Sequence, residues 1–230
     1  SNDAISDIRK KLFHSGSSDI IIALVGRISR WKGQKVLLNS FYELSETHTN
    51  IKLAFIGSPP PNQGLFLEEL NAKIQELQIS DKVIIIAFTE KIEEIWQSID
   101  IAIVPSTEPE PFGLVAVEAM LAKKPVIGSN HGGLTEIIEH NKTGFLVEPN
   151  NENILSEALR TFIEDSELRR IFWPIEWHEN KKFLPMQPGD ARQSFADITA
   201  ISRDLGFAPT TSIDVGVPNF VRWYREYHGL

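Results

Sequence analysis

Six short apolar runs, rich in Ile and Val and scarcely interrupted by polar positions, punctuate the first three-quarters of the chain. They are Ile20–Val25, Ile51–Ile56, Val83–Phe88, Ile101–Val104, Pro125–Ile127 and Phe145–Val147. Unbroken runs of this length read as strands covered on both faces, since neither side of the pleat has to meet water. Between them the period changes to that of a helix. Val36, Leu37, Ser40, Phe41 and Leu44 share one helical face, as do Leu67, Leu70, Ile74 and Leu77. Further helical patterns cover Glu94–Ile99, Leu114–Leu121, Leu134–Glu139 and Ile154–Ile163. Strands alternating with helices at this pitch need crossover connections, which are right-handed, and so predict an α/β fold with a doubly wound, parallel, six-stranded sheet.

Ligands of such sheets bind beyond the carboxyl ends of the strands, so the loops after strands carry the candidate chemistry. After the first strand comes 26-GRISRWKGQ-34, where Gly26 permits a tight turn and Arg27 and Lys32 bring two cations to the start of a helix. After the fourth comes 105-PSTEPEPFG-113, opening a helix at Phe112-Gly113, and after the fifth 128-GSNHGGLTE-136. Taken singly, each is ordinary turn chemistry. Together they set two fixed cations beside two helix N-termini, whose unpaired N–H groups favour anions. A diphosphate suits that set better than a lone carboxylate, because Arg offers a planar fork and Lys a point charge.

Two acids stand out in the same region. Glu110 precedes the fourth-loop helix, and Glu118 lies inside it among Leu114, Val115, Val117, Ala119 and Met120. On their own, Glu110 reads as a solvated loop acid and Glu118 as a surface helix residue; a buried acid at 118 would be costly without partners. A hydrolytic acid and base fit less well: eight helical residues span roughly 12 Å, whereas glycosidase carboxylates lie ~5–9.5 Å apart. Carboxylates accept paired hydrogen bonds from neighbouring hydroxyls, so sugar and ribose diols are the natural targets.

Composition narrows the classes. The 230 residues suffice for one large domain or a domain with an appendage, at 42% hydrophobic and 23% charged residues. A formal charge of −8 argues against a nucleic-acid surface but leaves room for a small basic pocket. There is no Cys, the six His show no metal-ligand spacing, and there is no Asp-x-Asp. No apolar run approaches the ~18 residues of a membrane span, and no signal-peptide stretch opens the chain. We therefore expect a cytoplasmic location, compatible with peripheral membrane contact.

Several motifs together resemble the C-terminal half of a family 4 retaining glycosyltransferase. They are Gly26-Arg27 with Lys32-Gly33, Val104-Pro105-Ser106, Glu110-Pro111-Phe112-Gly113 through Glu118-Ala119-Met120, Pro125-Val126-Ile127, Gly132-Gly133 with Glu136-Ile137-Ile138, and Thr143-Gly144-Phe145-Leu146-Val147, in order over residues 18–173. The resemblance implies a GT-B fold, two Rossmann-like domains around a cleft, with this half holding the nucleotide-sugar donor. It implies Arg27 and Lys32 on the diphosphate beside Gly26, Glu110 on the donor sugar, Glu118 on the ribose, and the amides around Phe112, Gly113 and Leu114 on the distal phosphate and sugar. Glu110, Arg27 and Lys32 would be the catalytic set. Phe88 and Thr89 would flank the base, although Ala87 stands where the family usually has Gly. The implied reaction transfers sugar from a UDP-, GDP- or ADP-sugar with retained configuration, for polysaccharide or glycoconjugate synthesis, with no covalent intermediate and no required metal or cofactor. The preplaced cations would stabilise the leaving diphosphate. The N-terminal acceptor domain is expected to be missing, and efficient turnover with it.

Near residue 175 the character of the chain changes: every Lys lies at or before Lys182, and residues 183–230 use only Arg. We divide the chain into residues 1–173, the donor-binding domain, and 174–230, a small, mostly helical appendage. The latter resembles the C-terminal end of NAD-dependent nucleotide-sugar epimerases, most like UDP-glucuronate 4-epimerase, through Pro185-Met186-Gln187-Pro188-Gly189-Asp190, Ala196-Asp197, Asp204-Leu205-Gly206-Phe207, Pro209-Thr210-Thr211-Ser212 and Phe220-Val221 through Trp223-Tyr224. Neither a dinucleotide Gly-rich loop nor a Tyr-x-x-x-Lys is present, so epimerase chemistry is unsupported. Asp197 and Ser212 are expected to cap helices, Pro218 to mark a first turn or restart, and Phe172, Trp173, Trp177 and Phe183 to offer a docking surface. The alternatives are a nucleotide-sugar-binding module without turnover and an engineered fusion. The donor base and sugar, the acceptor and the oligomeric state are left open by the sequence.

Overall fold

A computed structural model describes residues 2–171 together with Arg203, Val215, Pro218, Asn219 and Arg222. The chain folds as two compact units, Ser1–Trp177 and His178–Leu230. In the second unit the five described residues have helical backbone. The epimerase-like motifs, the caps expected at Asp197 and Ser212, and the junction aromatics lie outside the described residues.

Six strands form one all-parallel sheet: β1 (Ile20–Val25), β2 (Ile51–Ile56), β3 (Val83–Ile86), β4 (Ile101–Val104), β5 (Val126–Ser129) and β6 (Gly144–Val147), in the order β3-β2-β1-β4-β5-β6. This is the strand order of dinucleotide-binding folds, whose direction reverses between β1 and β4. Eight helices accompany the strands among the described residues: α1 (Asn2–Phe13), α2 (Gln34–Ser45), α3 (Leu65–Glu76), α4 (Ile92–Ser98), α5 (Leu114–Leu121), α6 (Leu134–Ile137), α7 (Glu152–Glu164) and α8 (Ser166–Ile171).

Both faces of the sheet are buried, as the unbroken apolar runs require. Alternate residues go to opposite cores. Ile20, Ile22 and Leu24 of β1, with Leu53 and Phe55 of β2, join Leu37, Phe41, Leu70, Leu159 and Phe162 of α2, α3 and α7. Ile21, Ala23, Ala54, Ala102 and Val104 join Phe13, Ile95, Trp96, Ala116, Ala119 and Met120 on the other face. There Ala23 pairs with Ala54 on one side and Ala102 on the other, a row of three alanines across the middle of the sheet. Each fully buried Phe or Leu of the first core contributes about 1.5–3 kcal/mol relative to exposure.

The sequence reading differs from the structure in three places. β3 stops at Ile86, leaving Ala87 and Phe88 in the following loop, with Phe88 exposed. Helices α1 and α8 lie where the apolar pattern predicts none. Helix α1 is held by charge as well as packing: the Arg9 guanidinium donates to both carboxylate oxygens of Asp100 (3.1 and 3.3 Å) and to the Ser98 carbonyl, and Asp100 accepts from the Ile21 amide at 2.7 Å. A polar stretch gains its helix here from a tertiary ion pair, which no local period reveals.

Lys124 lies in the field of this pair and donates to the Gln97 carbonyl at 3.3 Å. Burial holds its pKa below the usual 10.5, Asp100 opposes that, and Arg9 adds to it. Because the folded pKa is the lower one, the unfolded chain binds the proton more tightly, and the charged lysine destabilises the fold at neutral pH. Lys124→Met should raise Tm by about 2–4 °C at neutral pH. That gain should shrink as pH climbs towards 10.5 and wild-type Lys124 loses its proton, as thermal melts across pH will show.

Candidate functional site

The carboxyl edge of the sheet is built by loops that touch where glycine permits it. Gly33, at the N-cap of α2, has φ +78°, and a Cβ there would lie 2.0 Å from the Pro105 carbonyl oxygen. The loop after β1 can therefore lie directly on the loop after β4. The contact is fastened by Thr107, whose amide donates to the Trp31 carbonyl at 2.8 Å. Gly132 does the same for the loop after β5. At φ +58°, its Cβ would fall 2.6 Å from the Glu110 carbonyl oxygen, and the Gly133 amide donates to that oxygen at 2.7 Å.

The consequence is a compact charged cluster. Lys32 Nζ donates to Glu110 Oε1 at 2.6 Å, and Ser106 Oγ donates to the same oxygen at 2.5 Å. Side-chain exposure is 13% for Lys32 and 7% for Glu110, so the pair is shielded from water. Lys32 Nζ also sits 4.2 Å from the centre of the Trp31 ring. His131 donates from Nε2 to the Ser106 carbonyl at 2.9 Å; the carbonyl has no proton to give, so the nitrogen must carry it.

Next to this cluster opens a cavity of about 700 Å³, lined by Gly26, Arg27, Gly57, Ser58, Pro59–Pro61, Phe88, Thr89, Glu90 and Glu118, among others. Its size falls within the ~300–1,000 Å³ of ligand sites. The two features adjoin at Gly26, where a Cβ would meet the Lys32 stem at 3.8 Å. Arg27 is exposed, and among the described residues its guanidinium has no hydrogen-bond or ion-pair partner. Helix α5 begins behind Gly113 with no side-chain cap and no acid in its first turn, so its N-terminal amides remain available to an anion.

The structure thus brings Gly26, Arg27, Phe88 and Glu118 to one cavity and sets Lys32 and Glu110 beside it. Phe112 and Leu114 are not in the cavity wall; their side chains are 77% and 66% exposed beside the α5 start. The burial of Glu110 is the reverse of what a loop acid suggests alone, whereas Glu118 is the surface helix residue that its type suggests. Glu110, in a loop, is buried and paired. Glu118, in an apolar helix, is exposed, because it shares the outward stripe of α5 with Leu114 and Leu121 while Ala116, Ala119 and Met120 face the core. Glu118 therefore bears no burial penalty.

Sequence reasoning named Ser106 only within the Val104-Pro105-Ser106 motif, with no role, and did not single out the loop after β2 with its Ser58 and three prolines. That loop follows a strand at the same edge, and the rule that selected its neighbours applies to it equally. Ser58 Oγ accepts from the Phe88 amide at 3.0 Å and ties the two loops across the cavity. His131, in the turn after β5, is half-buried and its ring secures the Ser106 backbone. Among the described residues no cluster of three or more His, Cys, Asp or Glu is arranged to hold a metal, and no helix is long and apolar enough to cross a membrane.

Comparison with known proteins gives a consistent picture. Residues 5–173 match the family model for glycosyl transferases group 1. The chain is 35% identical over 153 residues to a D-inositol 3-phosphate glycosyltransferase of Corynebacterium jeikeium, covering 65% of this chain and 36% of that one. It is 31% identical over 156 residues to the lipopolysaccharide 1,2-N-acetylglucosaminetransferase of Salmonella typhimurium (66% and 41%). Among solved structures, Anabaena HepE in complex with UDP and glucose superposes with a TM-score of 0.69 at 30% identity, over 75% of this chain and 45% of that one. The C-terminal domain of a group 1 family protein from Francisella tularensis superposes with a TM-score of 0.66 at 28% identity, over 73% and 86%. The chain thus spans about two-fifths of the length of the two curated relatives, 36% of the first and 41% of the second.

Gly33→Ala should force the loops after β1 and β4 apart and cost about 3 kcal/mol or more, since the new Cβ meets backbone rather than a flexible side chain. Urea denaturation will measure the loss; a change below about 1 kcal/mol would mean that the contact can relax.

Proposed function

The chain belongs to the glycosyl transferase group 1 family, and from that premise we propose that it is the donor-binding half of a retaining glycosyltransferase. In this reading it binds a nucleotide-diphosphate sugar and presents it for transfer to an acceptor held by a separate N-terminal domain. The observation that carries the proposal is the Arg27 guanidinium, without a partner among the described residues, beside a roomy cavity, with Lys32 adjoining and an uncapped helix start at the same sheet edge. A diphosphate needs charge from more than one direction, and this edge supplies it from a fork, a point charge and helix amides.

The roles follow from position. Arg27 and Lys32 hold the diphosphate and stabilise it as it leaves, acting as charge already in place before bond breaking. Exposed Glu118, on the cavity wall, takes the ribose hydroxyls. Glu110 takes hydroxyls of the donor sugar, and Phe88 with Thr89 flanks the base. Leu114 and Gly113 contribute amides at the distal phosphate. A UDP-, GDP- or ADP-sugar is the donor class, and UDP complexes of a structural neighbour support that class. No metal or cofactor is needed for these roles.

We place the activity in polysaccharide or glycoconjugate synthesis in the cytoplasm and read residues 174–230 as an epimerase-like appendage without cofactor chemistry. Because the chain covers only 36–41% of the two relatives above, turnover by these 230 residues alone should stay near background until the remaining domain is supplied.

Titration calorimetry with UDP, GDP and ADP tests the proposal. At least one should bind, and Arg27→Ala should weaken it about tenfold or more, as expected for loss of a charge-assisted fork. Absence of binding by all three, or an Arg27→Ala affinity equal to wild type, would reject the reading.

A further inference from the structure

Glu110 is held by only one of its two oxygens. Oε1 accepts from both Lys32 Nζ and Ser106 Oγ, whereas Oε2 has no hydrogen-bond partner among the described residues. Nor is Oε2 among the described side-chain atoms sealed from solvent without a partner, so it keeps some access to solvent. A carboxylate fixed through one oxygen and open at the other is ready to accept a hydroxyl.

The two donors do different jobs. An ammonium is a point charge with rotatable protons, and it attracts whichever carboxylate oxygen comes nearer. It cannot by itself set the rotation of the carboxyl group. A hydroxyl on a short side chain is directional, and its reach is fixed by its backbone. The Ser106 backbone is clamped from two loops: His131 Nε2 donates to its carbonyl at 2.9 Å, and the next amide, that of Thr107, donates to the Trp31 carbonyl at 2.8 Å. Ser106 itself is fully buried.

We propose that Ser106 is a positioning residue, which turns the Glu110 carboxylate so that Oε2 faces the donor sugar while Lys32 balances its charge. This rests on the reading of the site as a nucleotide-sugar site. It adds a residue that acts through Glu110 and touches neither diphosphate nor base. Ser106 should therefore matter to the sugar half of the ligand and hardly at all to the nucleotide half.

Calorimetry of the full chain with UDP, GDP and ADP, each beside its glucose conjugate, separates these contributions. For whichever pair binds, Ser106→Ala should raise the Kd of the conjugate about tenfold and that of the bare diphosphate less than about twofold, the size expected for one hydrogen bond to a charged group. Ser106→Thr keeps the hydroxyl and should restore the conjugate's affinity. Equal losses for conjugate and bare diphosphate would mark Ser106 as general support for the fold and overturn the proposal. So would an unchanged ratio of the two Kd values, or failure of Ser106→Thr to restore it in a variant that melts like wild type. If none of the three diphosphates binds, the nucleotide-sugar reading fails first and this inference fails with it.

Discussion

Close approach of backbone to backbone at Gly33 and Pro105 governs the geometry of the whole edge. Lys32 precedes that glycine, and Ser106 and Glu110 follow that proline within five residues. Any side chain at position 33 would insert itself between the two loops. The ion pair between Lys32 and Glu110, shielded from water on both sides, exists because the loops meet without an intervening atom. A buried pair of this kind is poor evidence for stability, since desolvation offsets much of the attraction. Its value lies in placement: it fixes a carboxylate and a cation at a defined separation before any ligand arrives.

The two cations are thereby given different states. Lys32 is committed to Glu110 and to the face of Trp31, whereas Arg27 stands open to solvent at the cavity. In the proposed function, a diphosphate would meet the open guanidinium of Arg27, with the Lys32 ammonium beside it next to Gly26. The lysine can then share its charge between two acceptors, because its three donors are not all used by Oε1. The helix start at Gly113 adds partial charge without adding a titratable group.

Much of this is legible from the residues alone, and for a physical reason. Strands buried on both faces leave an unmistakable run of Ile and Val, and all six runs form strands within two residues at each end, the run at Val83–Phe88 losing its last two residues to a loop. The loop after each strand points to the candidate site residues, which is a rule of topology and not of propensity. Anything set by distant partners stays hidden. Helix α1 depends on Arg9 meeting Asp100, ninety-one positions away. The burial of Glu110 depends on Gly132 and Gly133 coming over it. The contact of Ser106 is hidden for the same reason: the Val104-Pro105-Ser106 motif names the residue, but not the carboxylate at which its hydroxyl is aimed.

The alanine row, Ala54, Ala23 and Ala102, faces the same core as Ala116 and Ala119 of α5. Small residues on both sides of a contact let helix and sheet approach closely, and interiors packed to this density transmit displacement instead of absorbing it. One added methylene beneath α5 would lift the helix, and with it both the amides behind Gly113 and the carboxylate of Glu118. Drift at these inconspicuous alanines, none of which lines the cavity, would therefore reshape the proposed site while leaving its lining residues untouched.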